Sequence, residues 1–474
     1  MKTKDVARCL VLAYPAQGHI NPMIQFSKRL AHKGINITLV TALSFWNQTK
    51  TNNNNNDNNF LFSPNIHSES ISDGYDDGGH LAASSIEIYK DTFWKVGRKT
   101  LSDLIRKLMV GNYNNNPVDC VIYDSFMPWA LDVAKEFGIL GAVFCTQPCA
   151  VNNIYFHVHK NLIELPLSES EYSLPGMVKL LAHELPSFLY EYGSYPGYFD
   201  IVTGQFSNVH KADWVLANTF YELEQEVIEW LSKIWPLNTI GPCIPSMYLD
   251  ERLQEDKDYG ISIHNQNIDA CIKWLNDKPK SSVIYVSFGS MAGPTEKQTE
   301  ELAYALKISN HYFMWVVRAS EQNKLPKGTF MEDSALLEKG LIVTWCPQLQ
   351  VLTHDAVGCF ISHCGWNSTL EALCLGVPMI AMPVWSDQIT NAKYVKDVWN
   401  MGLKVVVDEV EGVAKRETIL DCIKEMMESE KGNEIRENAM KWKNLAKDSV
   451  DEGGSSDKNI EEFVSKLAQY AAAK

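Results

Sequence analysis

Short, nearly unbroken apolar runs alternate with helical periodicity along almost the whole chain, and that alternation leaves few folds open. CLVLAY (Cys9–Tyr14), ITLVTA (Ile37–Ala42), DCVIY (Asp119–Tyr123), LGAVFCT (Leu140–Thr146) and WVLANTF (Trp214–Phe220) read as strands in the first half. SSVIYVSF, YFMWVVR, LIVTWC, GCFISH, VPMIAMPV and GLKVVVD repeat the rhythm in the second. Strands that are apolar at nearly every position must be covered on both faces, which parallel sheets sheathed by helices achieve. Turn chemistry agrees. Asn21 is expected to cap a helix with Pro22 in its first turn and Gly34 beyond its end, and Pro128 and Gly138 bracket PWALDVAKEF likewise.

The rhythm breaks at PCIPSMYLDERLQEDKDYGI, a charged stretch without periodicity that reads as a linker. The expected plan is therefore α/β: a domain over 1–241, a linker over 242–262, a second domain over 263–455, and a terminal helix over 456–474 packing back on the first domain. The Asn-rich runs Thr51–Asn59 and Asn112–Asn116 read as low-complexity loops. In doubly wound sheets, ligands collect at the carboxyl ends of the strands, so two such domains would offer a cleft between them.

Composition narrows what could bind there. Over 474 residues, 43 Lys and Arg against 58 Asp and Glu give a formal net charge of −15, which argues against a nucleic-acid partner. Eleven cysteines without a C-x-x-C pair read as reduced thiols in a cytoplasmic protein. The apolar run near the start is too short for a signal-peptide core, and none approaches the ~18 residues of a membrane span. A monomer without an integral membrane segment is expected.

HCGWNSTLEAL, from His363 to Leu373, places a strand-to-helix turn full of hydrogen-bonding groups after GCFIS. A helix N-terminus carries unpaired N–H groups and about half a positive charge. Gly365 allows close backbone approach, and Asn367 and Ser368 add donors, so a phosphate or diphosphate suits the turn. Ser368-Thr-Leu-Glu371 also fits a capping box, which would make Ser368 and Glu371 helix hardware. That alternative leaves His363, Asn367 and an exposed Trp366 indole without a purpose. Trp345, just past LIVT, offers a platform for a base. Asp387 and Gln388, after VPMIAMPV, supply acceptors and donors for sugar hydroxyls.

The stretch from Trp345 to Gln388, with HCGWNS inside it, resembles the signature box of plant secondary-product UDP-glycosyltransferases, and the likeness extends through YPAQGHINP and YDSFMPWALDVAKEFG to the final helices. The resemblance implies two facing Rossmann-like domains (the GT-B fold), UDP-glucose as donor substrate, no cofactor and no metal. Carried over by position, Trp345 would stack on uracil and the Cys346 backbone would touch its edge. Gln348 and Glu371 would bind ribose. His363, Gly365, Asn367, Ser368 and Ser290 would seat the diphosphate, while Trp366, Asp387, Gln388 and Thr146 would face the hexose. The terminal Gln is associated with glucose donors.

His19 follows CLVLAY and Asp124 follows DCVIY, so both lie on one rim of the first sheet. A carboxylate on one imidazole nitrogen frees the other to accept a proton. Read singly, His19 could be a helix-start residue, Asp124 a helix N-terminal carboxylate and Thr146 a mere strand end. The resemblance implies instead that His19 is the base, Asp124 its partner and the reaction inverting. Phe126, Met127, Gln147, Phe156 and Phe188 are candidates for the acceptor pocket, although core packing explains most of them equally well. The expected acceptor is a hydroxyl of a lipophilic small molecule, a steroid or terpenoid ahead of a phenolic, with ester formation on an aromatic or indole acid as the alternative. A non-catalytic sugar-nucleotide sensor is the rival from another class, and mere binding needs neither His19 nor Asp124. No G-x-G-x-x-G follows a strand, no G-x-S-x-G or H-E-x-x-H occurs, and His157 and His159 should point different ways on a helix. The single D-x-D, Asp256-Lys-Asp258, falls in the linker and is expected in solvent.

Overall fold

The apolar runs become the middles of two parallel sheets. The computed structural model describes residues 6–52, 65–110, 117–260, 268–326, 338–408 and 410–473, so most of both Asn-rich runs and the end of the linker lie outside the described residues. In the first half the strands are β1 (Arg8–Leu12), β2 (Asn36–Ala42), β3 (Ile66–Ile71), β4 (Cys120–Asp124), β5 (Leu140–Cys145), a small hairpin of β6 (Glu171–Tyr172) and β7 (Leu180–Leu181), β8 (Trp214–Ala217) and β9 (Leu237–Thr239). Apart from the hairpin they form one all-parallel sheet ordered β3-β2-β1-β4-β5-β8-β9. The second half supplies β10 (Val283–Ser287), β11 (Tyr312–Val316), β12 (Gly340–Val343), β13 (Val357–Ser362), β14 (Met379–Ala381) and β15 (Gly402–Lys404). These are also all parallel, ordered β12-β11-β10-β13-β14-β15.

Both orders reverse direction beside their first strand, between β1 and β4 and again between β10 and β13. At such a switch point the two connections leave in opposite directions and open a crevice above the carboxyl ends. His19 and Asp124 follow or end the strands at one of these points; Ser290 and His363 follow the strands at the other.

Contacts divide the chain into Met1–Ala182 with Phe188–Asn265 and Asp448–Lys474, and His183–Ser187 with Gln266–Lys447. The second unit therefore takes in a five-residue piece of the first half. Ser187 N donates to Ser386 O (3.0 Å), Ser386 N to Ser187 Oγ (2.7 Å) and Thr390 Oγ1 to Glu184 O (2.8 Å). In the first unit the final helix, Ser455–Ala473, inserts Ile460, Phe463 and Leu467 into the core beneath β1 and β5, with Phe463 4.9 Å from Trp214 ring to ring.

The charged stretch after Pro242 is not in solvent as expected. Asp256 is 6% exposed, pairs with Lys28 and accepts from Ser246 N, because the segment lies along the helix Gln17–His32. Asp250 has no exposed side chain and meets Arg29 at 2.8 Å. Burial alone would raise its carboxyl, but Arg29, Ser246 and Arg252 hold it below the usual range. Arg29→Ala would leave that carboxylate with Ser246 and, at 3.6 Å, Arg252 alone, so unfolding in urea should report a loss of about 1–3 kcal/mol, partly restored by adding Asp250→Ala. A loss below about 1 kcal/mol would show the pair to be inconsequential.

Candidate functional site

At the second unit's switch point, β13 ends at Ser362 and the helix Trp366–Leu375 begins, with Gly365 as its N-cap residue. The capping box does not form. Ser368 and Glu371 are instead drawn to Gln348, whose Nε2 donates to Ser368 Oγ (3.0 Å) and Glu371 Oε2 (2.6 Å). Tyr285 on β10 donates its hydroxyl to Gln348 Oε1 (2.9 Å) and lies 3.2 Å from Cys346 Sγ. Glu371 is only 5% exposed and accepts from Gln348 Nε2. A buried acceptor of this kind suits hydroxyl donors.

The His363 imidazole lies against two glycines. A Cβ on Gly289 would fall 2.6 Å from its Nε2, and one on Gly365 2.5 Å. Burial, then the Arg318 guanidinium, push this imidazole down to about 4, against the Ser287 backbone. Nδ1 meets no partner of hydrogen-bonding geometry among the described residues. The ring is neutral near pH 7. Cys364, between His363 and Gly365, takes a left-handed φ of 62°, and Asn391 Nδ2 holds its carbonyl at 2.9 Å. The same amide reaches Asp387 Oδ2 at 2.7 Å and so ties the turn to the Asp387–Gln388 pair. Gln388 Oε1 accepts from Val384 N and Trp385 N at 3.0 and 3.1 Å, which leaves its NH₂ as the part able to face a ligand.

Trp366 corrects the expectation of an exposed indole. It is 4% exposed, 6.0 Å from Trp399 ring to ring, because the helix turns this position inward. Trp345 remains half-buried just past β12, Asn367 is half-buried, and Ser290 is exposed beyond β10. Tyr285, Arg318 and Asn391 escaped the sequence reading. Arg318 could have been found at the end of YFMWVVR; it donates to Met291 O at 2.7 Å and pairs with Glu321. Asn391 stands four residues after Asp387, one helical turn on.

In the first unit, His19 is not in a loop before a helix that Asn21 caps. The helix Gln17–His32 starts at Ala16, with His19 in its first turn and Asn21 and Pro22 buried inside. His19 Nδ1 is 2.7 Å from Asp124 Oδ2 and 3.2 Å from Thr146 Oγ1. Asp124 is fully buried, and its Oδ1 accepts from Phe126 N at 3.0 Å. A carboxylate can only accept, so Nδ1 carries the proton and Nε2 presents a lone pair. No protein partner for Nε2 occurs among the described residues. The His19 side chain is 16% exposed, so it can be reached.

Among the acceptor candidates, Phe126 lies 4.6 Å from the His19 ring. Gln147 is 9% exposed, one residue beyond Thr146. Phe188 stacks on Tyr198 at 5.9 Å. Met127 is a correction: it has no exposed surface, because the turn after β4 folds it into the core. Phe156 is another, clasped by Trp235 at 4.9 Å and Phe206 at 5.7 Å on the inner face of the helix Cys149–His159. His157 and His159 diverge as expected, His157 bonding Asn153 O and His159 lying beside Phe206.

Residues 211–452 match the family described as UDP-glucoronosyl and UDP-glucosyl transferase, and residues 5–239 match a glycosyltransferase N-terminal domain. The chain is 46% identical to Mogroside I-E synthase of Siraitia grosvenorii over 467 residues, 98% of this chain and 99% of that one. It is also 46% identical to a flavonol 7-O-beta-glucosyltransferase of Arabidopsis thaliana over 461 residues, 97% and 98% of the two chains. The crystal structure of Os79 from O. sativa in complex with UDP superposes with a TM-score of 0.87 at 37% identity, covering 97% of this chain and all of that one.

Proposed function

The chain belongs to the UDP-glucoronosyl and UDP-glucosyl transferase family and is a UDP-glycosyltransferase, and from that premise we propose that it moves glucose from UDP-glucose to a hydroxyl of a lipophilic small molecule such as a steroid or terpenoid. The observation that carries this reading is the His19 imidazole, fixed through Nδ1 by a fully buried Asp124 and left with a free Nε2. His19 takes the acceptor proton as the oxygen attacks the anomeric carbon on the face opposite the departing UDP, inverting its configuration. Charge that develops on the diphosphate is met by the N–H groups of the helix beginning at Trp366 and by His363, Asn367, Ser368 and Ser290. Trp345 and Cys346 hold the base, Gln348 and Glu371 the ribose, and Trp366, Asp387, Gln388 and Thr146 the hexose. Trp366, buried as it is, acts by shaping the wall. Incubation with UDP-glucose and an acceptor panel, read by UDP release and by mass detection of a hexose adduct, tests the proposal. UDP bound with no adduct from any acceptor would favour a sensor.

A proton should accompany donor binding. The anionic diphosphate favours the charged imidazole, so His363 is raised from about 4 in the complex. The complex then holds more protons than the free protein, and affinity strengthens as pH falls through the bound-state pKa. UDP-glucose suits the measurement because both of its phosphates are diesters that do not titrate near neutrality. Calorimetry at about pH 5.5 in two buffers of different ionisation enthalpy should show proton uptake, abolished in His363→Gln. No uptake in the parent protein would place His363 away from the diphosphate.

A further inference from the structure

Tyr285 is the polar exception in an otherwise apolar part of β10. Ile284 and Val286 on either side of it enter the core on one face of the second sheet, so alternation turns the Tyr285 ring to the other face. There it lies against Phe360, its register partner on β13, with ring centres 4.9 Å apart at 28°. A buried phenol needs a hydrogen-bond partner, and this one reaches the start of the helix Gln348–Leu352. Its hydroxyl donates to Gln348 Oε1 at 2.9 Å and lies 3.2 Å from Cys346 Sγ.

The Gln348 carboxamide can sit only one way round. Exchanging its oxygen and nitrogen would put the amide oxygen 2.6 Å from Glu371 Oε2, two acceptors with no hydrogen between them. The amide oxygen therefore faces Tyr285, and because that oxygen can only accept, the phenol proton is committed to it. Burial pushes the phenol well above its usual range and the Cys346 thiol up to about 12, so both keep their protons at neutral pH. The S–H of Cys346 is then left to donate to the phenol oxygen. A directed chain results, from Cys346 to Tyr285, from Tyr285 to Gln348, and from Gln348 Nε2 to both Ser368 Oγ (3.0 Å) and Glu371 Oε2. Ser368, having accepted, has a proton to give, and a carboxylate with one acceptor site taken has others to offer.

We propose that Tyr285 is a positioning residue of the donor site: by locking the Gln348 carboxamide it makes Ser368 a hydroxyl donor to the diphosphate and keeps Glu371 turned to accept from the ribose hydroxyls. The inference rests on the reading of Gln348 and Glu371 as ribose ligands and adds the group that orients them. Tyr285 need not touch the nucleotide. Without the phenol oxygen, the amide oxygen loses its partner and the carboxamide is free to rotate away from Ser368 and Glu371. Recognition of the ribose then loosens, while the packing, which uses only the ring, stays.

The test compares UDP with 2′,3′-dideoxy-UDP, which differ only in the two ribose hydroxyls, by titration calorimetry on the full-length protein. The parent should prefer UDP at least about thirtyfold, since a site built to bond hydroxyls rejects an analogue that lacks them. Tyr285→Phe keeps the ring on Phe360 and should narrow that preference about three- to tenfold, with thermal unfolding checking that the free variant is folded. A role in packing alone would move the unfolding temperature and leave the ratio where it was. Because Tyr285 acts through Gln348, the same substitution in a Gln348→Leu background should change the preference by less than about twofold. A preference unmoved by Tyr285→Phe, or moved equally in both backgrounds, overturns the inference and leaves the ribose reading intact. A parent protein that binds both nucleotides equally would remove the ribose reading itself, and the role of Tyr285 with it.

Discussion

His19→Ala should lower kcat for glucosyl transfer by about 10²–10⁴ while the Kd for UDP stays within about twofold. The split follows from where the side chain sits. His19 belongs to the first turn of a helix in the first unit, and Asp124 and Thr146, which its Nδ1 meets, are in that unit too. The groups read as seating UDP all lie in the second. Alanine also suits the helix, so the fold should tolerate the change. Asp124→Asn should cost nearly as much. An amide can offer its NH₂ to Nδ1 and so move the proton to Nε2, where it blocks the base. The check is initial rate against UDP affinity on the same preparations. Unchanged turnover in His19→Ala would remove the base assignment, and equal losses of rate and affinity would recast His19 as a binding residue.

Gly365→Ala is expected to weaken UDP binding by about 100-fold, near 2.7 kcal/mol, while uridine binding changes little. Backbone strain is not the reason, since φ −60° and ψ 145° suit any residue. The reason is contact: the added methyl would lie 2.5 Å from His363 Nε2, and a retreating ring meets Gly289. Either the imidazole leaves the diphosphate or the turn carrying the helix N-terminus shifts, and charge-assisted hydrogen bonds worth about 1.5–3 kcal/mol each are lost. Uridine lacks the diphosphate and, on the proposed reading, would use Trp345, Gln348 and Glu371. Titration calorimetry with both ligands reads the ratio. Parallel losses would mean general damage to the domain and would retract the diphosphate seat.

Strands were legible in proportion to their burial. β1, β4 and β13 are buried along nearly their whole length, and each wrote a continuous apolar run. β3 reads IHSESI with only its ends buried, and β9 is three residues long, so neither edge strand left a pattern to find. The start of the helix carrying His19 was misplaced by the strongest local signal, Asn21-Pro22. Packing overrode it, burying both residues in the second turn while the chain was already helical from Gln17. Trp366 failed for the same kind of reason: being next to a ligand turn in sequence does not say which side of the helix faces it.

The turn from His363 to Ser368 depends on both levels. Gly365 and Ser368 announced a strand-to-helix corner, but Gln348, twenty residues earlier, bonds Ser368 and Glu371, and the capping box does not form. Asn391 and Arg318, which bond the turn and act on His363, left only a spacing to find them by, one helical turn past Asp387 and the end of the YFMWVVR run.

Periodicity and turn chemistry are properties of neighbouring residues, so the alternating elements, the two-part plan and the glycine-bearing corner could be derived from the order of amino acids alone. That an imidazole meets a carboxylate 105 positions away, or that Tyr89 donates to Asp73, depends on strand order and register. Those are fixed only when the sheets assemble and bury their faces together. Local sequence specifies which groups are present at the strand ends, and the folded chain specifies which of them come within reach of one another.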